Sequence, residues 1–326
     1  MLSRVADVIY WLNRYLERAE NVARVIDVNL HLLLDLPTGT TAQWEPLVYT
    51  TGDQQMFQEH FGTATKEHVV AFLTVDAKNP NSILSCLRAA RENARSVREI
   101  ISSEMWEQVN TFYLMVQEAA SSGWDMDAPY DLFTKIKHAS HLFVGIMDVT
   151  MSHGEAWHFG QLGRLIERAD KTSRILDVKY FYLLPSLADL GTPMDEMQWS
   201  AVLKSASAFE MYRQRFGRIA PLHIADFLLL DREFPRAMQY CVMHAEASLH
   251  AISGSPIGTF CNPAEQRLGR LRGELSYADI QDIMHAGLHE FLDEFQRQLN
   301  RIDEAISETF FASPPLVASS TDLREA

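Results

Sequence analysis

RYLERAENVARVID, residues 14–27, returns as RLIERADKTSRILD, residues 164–177. Aligned without a gap, residues 12–28 and 162–178 share eight of seventeen positions: Leu, Arg, Glu, Arg, Ala, Arg, Asp and Val. Both copies carry the 3.6-residue period of an amphipathic helix. At 100° steps, Leu12, Tyr15, Ala19, Val22, Ala23, Ile26, Leu30 and Leu33 share one side. Arg14, Glu17, Glu20, Asn21, Arg24 and Asp27 share the other. A helix over 5–36, stopped by Pro37 and Gly39, is expected.

The repetition runs beyond these helices. Trp44–Gly62 matches Trp199–Gly217, and His68–Ala90 matches His223–Ala245, both at an offset of 155 residues. Asp131–Phe143 matches Asp279–Phe291 more weakly. The first half predicts further helices near 44–60, 66–77, 80–101, 104–121 and 127–151, with Asn79 as cap and Pro80 as first helical residue of the third. The second half predicts helices near 156–184, ending at Pro185, and near 195–215, 221–232, 234–253 and 276–310. SGSPIGTFCNP, residues 253–263, is the clearest loop. No segment alternates as a strand does. The expectation is an all-α, internally duplicated helical bundle, its homologous halves (about 1–153 and 154–311) packed about a pseudo-two-fold axis as one domain. The tail 312–326 is expected to be disordered.

The chain has 326 residues, 47% of them hydrophobic, enough for a large core. Its net charge of −14 argues against general nucleic-acid binding. Cys86, Cys241 and Cys261 show no metal-ligand spacing and suit buried thiols in a reducing cytoplasm. The N-terminal stretch lacks a signal-peptide pattern, and no segment has the roughly 18 apolar residues of a membrane span. A soluble, cytoplasmic protein is expected.

The charged faces of the repeated helices are the first candidate site: Arg14, Glu17, Arg18, Arg24 and Asp27, with Arg164, Glu167, Arg168, Arg174 and Asp177. Arg14 and Arg18 are i,i+4, a like-charge pair that costs a few tenths of a kcal/mol unless an anion sits between them. Arg164 and Arg168 repeat the pair. Two readings are open. If the helices cross antiparallel, Glu17 meets Arg174 and Arg24 meets Glu167 in a buried network, which Arg24→Ala would destabilise by several kcal/mol. Otherwise the arginines form an anion site between the helices, built on forked guanidinium donors.

A second candidate is the basic stripe Arg88, Arg91, Arg95 and Arg98. It is either a solvated face, neutralised by Glu92, Glu99, Glu104 and Glu107, or a docking face for phosphate or an acidic partner. Its counterparts in the second half include Met243, Glu246 and Leu249, so a function here belongs to one half. Asp231, Arg232, Glu233 and Arg236 around Pro235 read as a cap and brace at a helix junction.

Glu155 and His158 form one E-x-x-H, but the second such pair and the further glutamates of a di-iron bundle are missing. Asp282, His285, His289 and Asp293 align on one helical face as a weaker metal alternative to ordinary hydrogen-bonded histidines. There is no H-E-x-x-H, P-loop, G-x-G-x-x-G or G-x-S-x-G, so neither metal nor cofactor is expected.

The stretches YWLNRYLERAENVARVIDVNLHLLLD, NPNSILSCLRAARENARSVREIISSEMWEQVN, GRLIERADKTSRILDVKYFYLLP, SASAFEMYRQRFG and LLLDREFPRA together resemble the bacterial alpha-E family, a helical domain named for its Glu-Arg motif. They cover most of residues 1–311. The resemblance implies an all-helical fold. It also implies a setting: such proteins are typically encoded beside a circularly permuted ATP-grasp protein, transglutaminase-like peptidases and sometimes a proteasome-like hydrolase. The implied role is in a peptide-ligating or peptide-modifying system.

Three functions remain in play. The first is a non-catalytic partner of the ATP-grasp protein, binding it or an acidic peptide through arginine-rich faces. The second is an enzyme with Glu17 or Glu167 as acid/base and Arg14, Arg18, Arg164 or Arg168 holding a carboxylate or phosphate. The third is a homo-oligomeric scaffold.

Overall fold

The long first helix has apolar residues at helical spacing on one face and no interior Gly or Pro to break it. In the computed structural model it is α1, Ser3–Asp35. The structure describes residues 1–35, 43–122, 130–182 and 192–312. The expected stops at Pro37, Gly39 and Pro185, the start of the 127–151 helix and nearly all of the tail lie outside those residues.

The first half continues with α2 (Glu45–Tyr49), α3 (Gln54–His60), α4 (Lys66–Thr74), α5 (Ile83–Ser96), α6 (Ser103–Ser122) and α7 (Tyr130–Thr150). The second long helix, α8 (Glu155–Tyr182), is followed by α9 (Pro193–Ser205), α10 (Phe209–Phe216), α11 (Pro221–Leu230) and α12 (Met238–Ser253). The chain then forms α13 (Pro263–Ser276), α14 (Ile280–Ala286), α15 (Leu288–Ile306) and a π-helical turn, Ser307–Phe311. No strand occurs among the described residues, so the all-α expectation holds.

Several boundaries differ for local reasons. The helix expected over 44–60 is two short pieces, split around Gly52, whose φ is +82°. Asn79 and Pro80 form the turn before α5 rather than its start. Ser82 is the cap, its hydroxyl accepting from Ser85 N at 3.2 Å. Asn79 instead braces that turn, donating to Phe72 O at 3.0 Å and accepting from Asn81 N at 2.8 Å. Helix α13 was not anticipated, although Asn262-Pro263-Ala264-Glu265 is a strong start signal. Asn262 accepts from Glu265 N at 2.9 Å, and Glu265 accepts from Cys261 N at 2.7 Å, close to a capping box but with the return bond taken from the residue before the cap. The helix expected over 276–310 breaks at Gly287, whose φ of +113° disfavours any other residue. That break separates His285 from His289, so the aligned Asp/His face does not form.

α1 packs against α5 and α7 on one side and α8 on another, and α8 packs in turn against α12 and α15. There are two apolar cores. One is built from residues of α1 to α7 plus Phe159, the other from residues of α8 to α15 plus Tyr10. Val25, Ile252, Phe310 and Phe311 pack against both. Each fully buried Leu, Ile or Phe contributes about 1.5–3 kcal/mol, and the seam between α1 and α8 is where the two cores meet.

Contacts climb the two helices together: Tyr10 lies by Gly163, Arg18 by Glu167, and Val22 and Val25 by Lys171 and Ile175. The helices therefore run side by side in the same direction, not antiparallel. This overturns the expected pairings of Glu17 with Arg174 and Arg24 with Glu167, which required opposite directions.

Candidate functional site

At the seam, each central glutamate takes arginines from the opposite helix. Arg18 donates to Glu167 from Nε at 2.6 Å and from Nη2 at 2.9 Å. Arg168 returns the pattern on Glu17, from Nε at 2.7 Å and Nη2 at 2.9 Å. Arg14 adds a bond from Nε to Glu167 at 3.0 Å. The like-charged Arg14 and Arg18 thus have a carboxylate between them, which removes the cost of their spacing. Adjacent Glu17 and Arg18 take different partners, Arg168 and Glu167, which are themselves adjacent on α8.

The network extends to residues that the repeated stretches do not contain. Arg236, just past Pro235, donates to Glu20 at 2.9 Å, to Asn21 at 3.1 Å and to Glu17 at 3.4 Å. Glu20 also pairs with Arg24. Asp303 on α15 accepts from Arg14 Nη1 and from the Tyr10 hydroxyl, each at 2.6 Å. Arg174 bonds Asp170 at 2.9 Å and Lys171 bonds it at 3.0 Å. Asp27 meets Lys137 at 2.5 Å, and Asp177 meets His289 at 2.6 Å. Arg236 was placed among the bracing charges at the helix junction, and that cap exists: Asp231 accepts from Glu233 N at 2.8 Å and Phe234 N at 2.7 Å. Its reach into the seam had no one-dimensional signal. Glu20, Asp170 and Asp303 were likewise missed as partners, although Glu20 and Asp170 occupy the same place in the two stretches.

Glu17 is 3% exposed, and Glu20 and Glu167 are sealed at 0%. Burial alone would raise their pKa values. For Glu17, Arg168 and Arg236 outweigh it; for Glu20, Arg236, His141 and Arg24 do; for Glu167, Arg18, Lys171 and Arg14 do. All three carboxyls are held below the usual range, Glu20 and Glu167 well below it. They are fixed charges, not proton carriers near neutral pH.

The basic stripe lies elsewhere, on solvent-facing α5 and the turn after it. Arg91 donates to Asn110 at 2.7 Å and Arg95 to Glu92 at 2.9 Å. Arg98 stands 5.0 Å from the centre of the Trp106 ring, and Arg91 5.2 Å from that of Tyr113. Among the described residues no carboxylate pairs with Arg98. Cys86 and Cys241 are buried and Cys261 is exposed. No group of three or more His, Cys, Asp or Glu could hold a metal among the described residues. No helix of the described chain is long and apolar enough to cross a membrane.

The fold and the seam define an all-α domain whose two longest helices are joined by reciprocal Glu-Arg pairs. The chain belongs to the Alpha-E family, a predicted alpha-helical domain with a conserved ER motif, which matches residues 1–311. An uncharacterized protein of Mycobacterium bovis is 22% identical over 336 residues, covering 95% of this chain. An uncharacterized protein of Mycobacterium tuberculosis matches to the same extent. The chain spans 37% of the length of either relative. No solved structure matches it.

Proposed function

We propose that this protein is a non-catalytic binding component of an ATP-grasp-linked peptide-ligating or peptide-modifying system. It presents the α5–α6 face to an acidic partner, either the circularly permuted ATP-grasp protein or its acidic peptide. The carrying observation is the contrast between two sets of arginines. Arg14, Arg18 and Arg168 of the seam are held by buried glutamates, whereas Arg98 has no acid among the described residues and stands with Arg91 over half-buried aromatic rings. Arginine on an aromatic platform is the composition of a protein-binding hot spot.

An acid/base role for Glu17 or Glu167 would need an accessible carboxyl with a raised pKa. Both are sealed and held ionised, which favours binding over proton transfer. The reciprocal pairs also support reading the chain as two fused homologous halves about a pseudo-two-fold axis. Cys86 and Cys241, 155 residues apart, face the carbonyls of Pro80 and Pro235 at 3.7 and 3.5 Å, which fits the same reading. A reducing, cytoplasmic setting suits these buried thiols.

The test is co-purification of the full chain with a circularly permuted ATP-grasp protein of the same organism. Association at micromolar concentration is expected, with loss in Arg91→Glu/Arg98→Glu at unchanged melting temperature. Absence of association with peptide substrate present, or retention in the reversed variant, overturns the proposal. Self-association alone in sedimentation would favour the scaffold.

A further inference from the structure

Arg14 and Arg164 occupy the same place in the two Glu-Arg stretches, yet their surroundings differ. Arg14 has Glu167 and Asp303. Arg164 has neither kind of partner: its Nη2 donates to the Gln161 side-chain oxygen, and no acid pairs with it among the described residues. The carboxylate that should serve it, Glu17, is taken by Arg168 and Arg236.

Arg164 lines a cavity of about 430 Å³ together with Trp157, Tyr240 and His244, a size suited to a small ligand. Burial, with Arg168 beside it, pushes the Arg164 pKa down to about 10. The cation is therefore short of counter-charge where it stands. Arg168 also lines the space, but its donors are occupied by Glu17 and by Pro235 O at 3.3 Å. Asp148 is the one acid of the lining, and it lies 3.7 Å from His153. Burial lowers the pKa values of His158 and His244. Neither imidazole adds a positive charge near neutral pH, so Arg164 is the group that selects charge here. The Tyr240 and His244 rings lie 4.0 Å apart, and Trp157 is stacked on His153 at 4.2 Å, giving aromatic walls that favour a flat partner.

We propose that this cavity binds a small organic oxyanion, a carboxylate or phosphate carried on a ring. Arg164 is its charge partner, and Trp157, Tyr240 and His244 are its walls. No residue of α5 or α6 lines this cavity, so it stands or falls independently of the partner-binding reading.

Calorimetric titration of the full chain with phenyl phosphate, benzoate, inorganic phosphate and benzamide tests it. Phenyl phosphate or benzoate is expected to bind. Benzamide should be weaker by about tenfold or more, the worth of a charge-assisted hydrogen bond. Inorganic phosphate should also be weaker, because it lacks the ring. The order of phenyl phosphate and benzoate tells phosphate from carboxylate. Arg164→Gln should lose the binding while its melting temperature holds or rises, because no acid is left unpaired. Tyr240→Ala should bring phenyl phosphate down to the level of inorganic phosphate, a second readout if Arg164→Gln folds poorly. Absence of heat from both ring anions at millimolar concentration overturns the site. So does equal binding of benzamide, or undiminished binding by Arg164→Gln.

Discussion

Arg168 grips Glu17 at two points, Nε at 2.7 Å and Nη2 at 2.9 Å, across the seam between α8 and α1. Glu17 also faces Arg236, so Glu17→Ala leaves buried Arg168 without its carboxylate and removes one of the two that Arg236 has. Removing one member of a buried ion pair costs about 3–5 kcal/mol. Urea unfolding followed by circular dichroism should show a loss of that order. Arg24→Ala should cost less, about 1–3 kcal/mol, because Glu20 keeps Arg236 at 2.9 Å. Glu92→Ala, on the exposed stripe, should change stability by roughly 0–1 kcal/mol. A Glu17→Ala variant as mild as Glu92→Ala would show that the seam charges are not holding the halves together.

The same charges set the acid limit. Glu17, Glu20 and Glu167 are held below the usual carboxylate range, and Asp170 is lowered to about 2 against burial by Lys171 and Arg174. Groups depressed in the folded state stabilise it fully above their unfolded values, near 4. That contribution drains away as pH falls through the folded values. His289 works in the opposite sense: the hydrogen bond to Asp177 raises its pKa. Its contribution is complete below about 6.5 and is lost as pH rises through the folded value. Unfolding free energy measured from pH 2 to 9 should fall steeply below about pH 4 and decline gently on the alkaline side. Glu167→Gln should flatten the acid limb and His289→Gln the alkaline one. A steep acid limb retained in full by Glu167→Gln would assign it to other carboxylates.

The helices were legible in the sequence because apolar spacing reports which face is buried. Leu12, Ala19, Val22, Ala23, Ile26 and Leu30 are all buried, as their spacing requires. The opposite face was not legible in the same way. Arg14, Glu17, Glu20, Asn21, Arg24 and Asp27 read as a polar side, yet all are buried too. A helix enclosed on every side, with its charges neutralised by another helix, has the same periodicity as one half-exposed to water. Direction was equally hidden, since spacing along one helix does not say which way its neighbour runs. Residues supplied from far along the chain, Arg236 and Asp303, become partners only through the fold. Arg164 shows the converse: it holds the same place in the repeat as Arg14, but lines a cavity where Arg14 meets carboxylates.

Cysteine chemistry should separate the three thiols. Cys86 and Cys241 are fully buried, and burial pushes both thiols up to about 12. Thiolate is the reactive form, so both should resist an aromatic disulfide reagent at pH 8 while the protein is folded. Cys261 is exposed, on the loop before α13. One thiol per chain should react quickly in the native state, and three after unfolding in guanidinium. A Cys261→Ser variant should lose the fast phase alone. Fast labelling of two or three native thiols would mean that the helices carrying Cys86 and Cys241 open readily.

Gly163 of α8 lies against the backbone of α1. A Cβ there would lie 2.4 Å from the backbone oxygen of Tyr10. Backbone cannot swing aside as a flexible side chain does, so α1 and α8 would have to separate. Overpacking of this kind costs about 1–3 kcal/mol, and separation would also lengthen the Arg18–Glu167 and Arg168–Glu17 pairs. Gly273, on α13, is the control: a Cβ there meets nothing within 4 Å. Alanine should help the helix there by up to about 1 kcal/mol. Chemical denaturation should therefore place Gly163→Ala below the wild type and Gly273→Ala level with it or above. If Gly163→Ala were neutral, the two long helices would be free to shift apart, and the glutamates between them would be open to solvent rather than sealed.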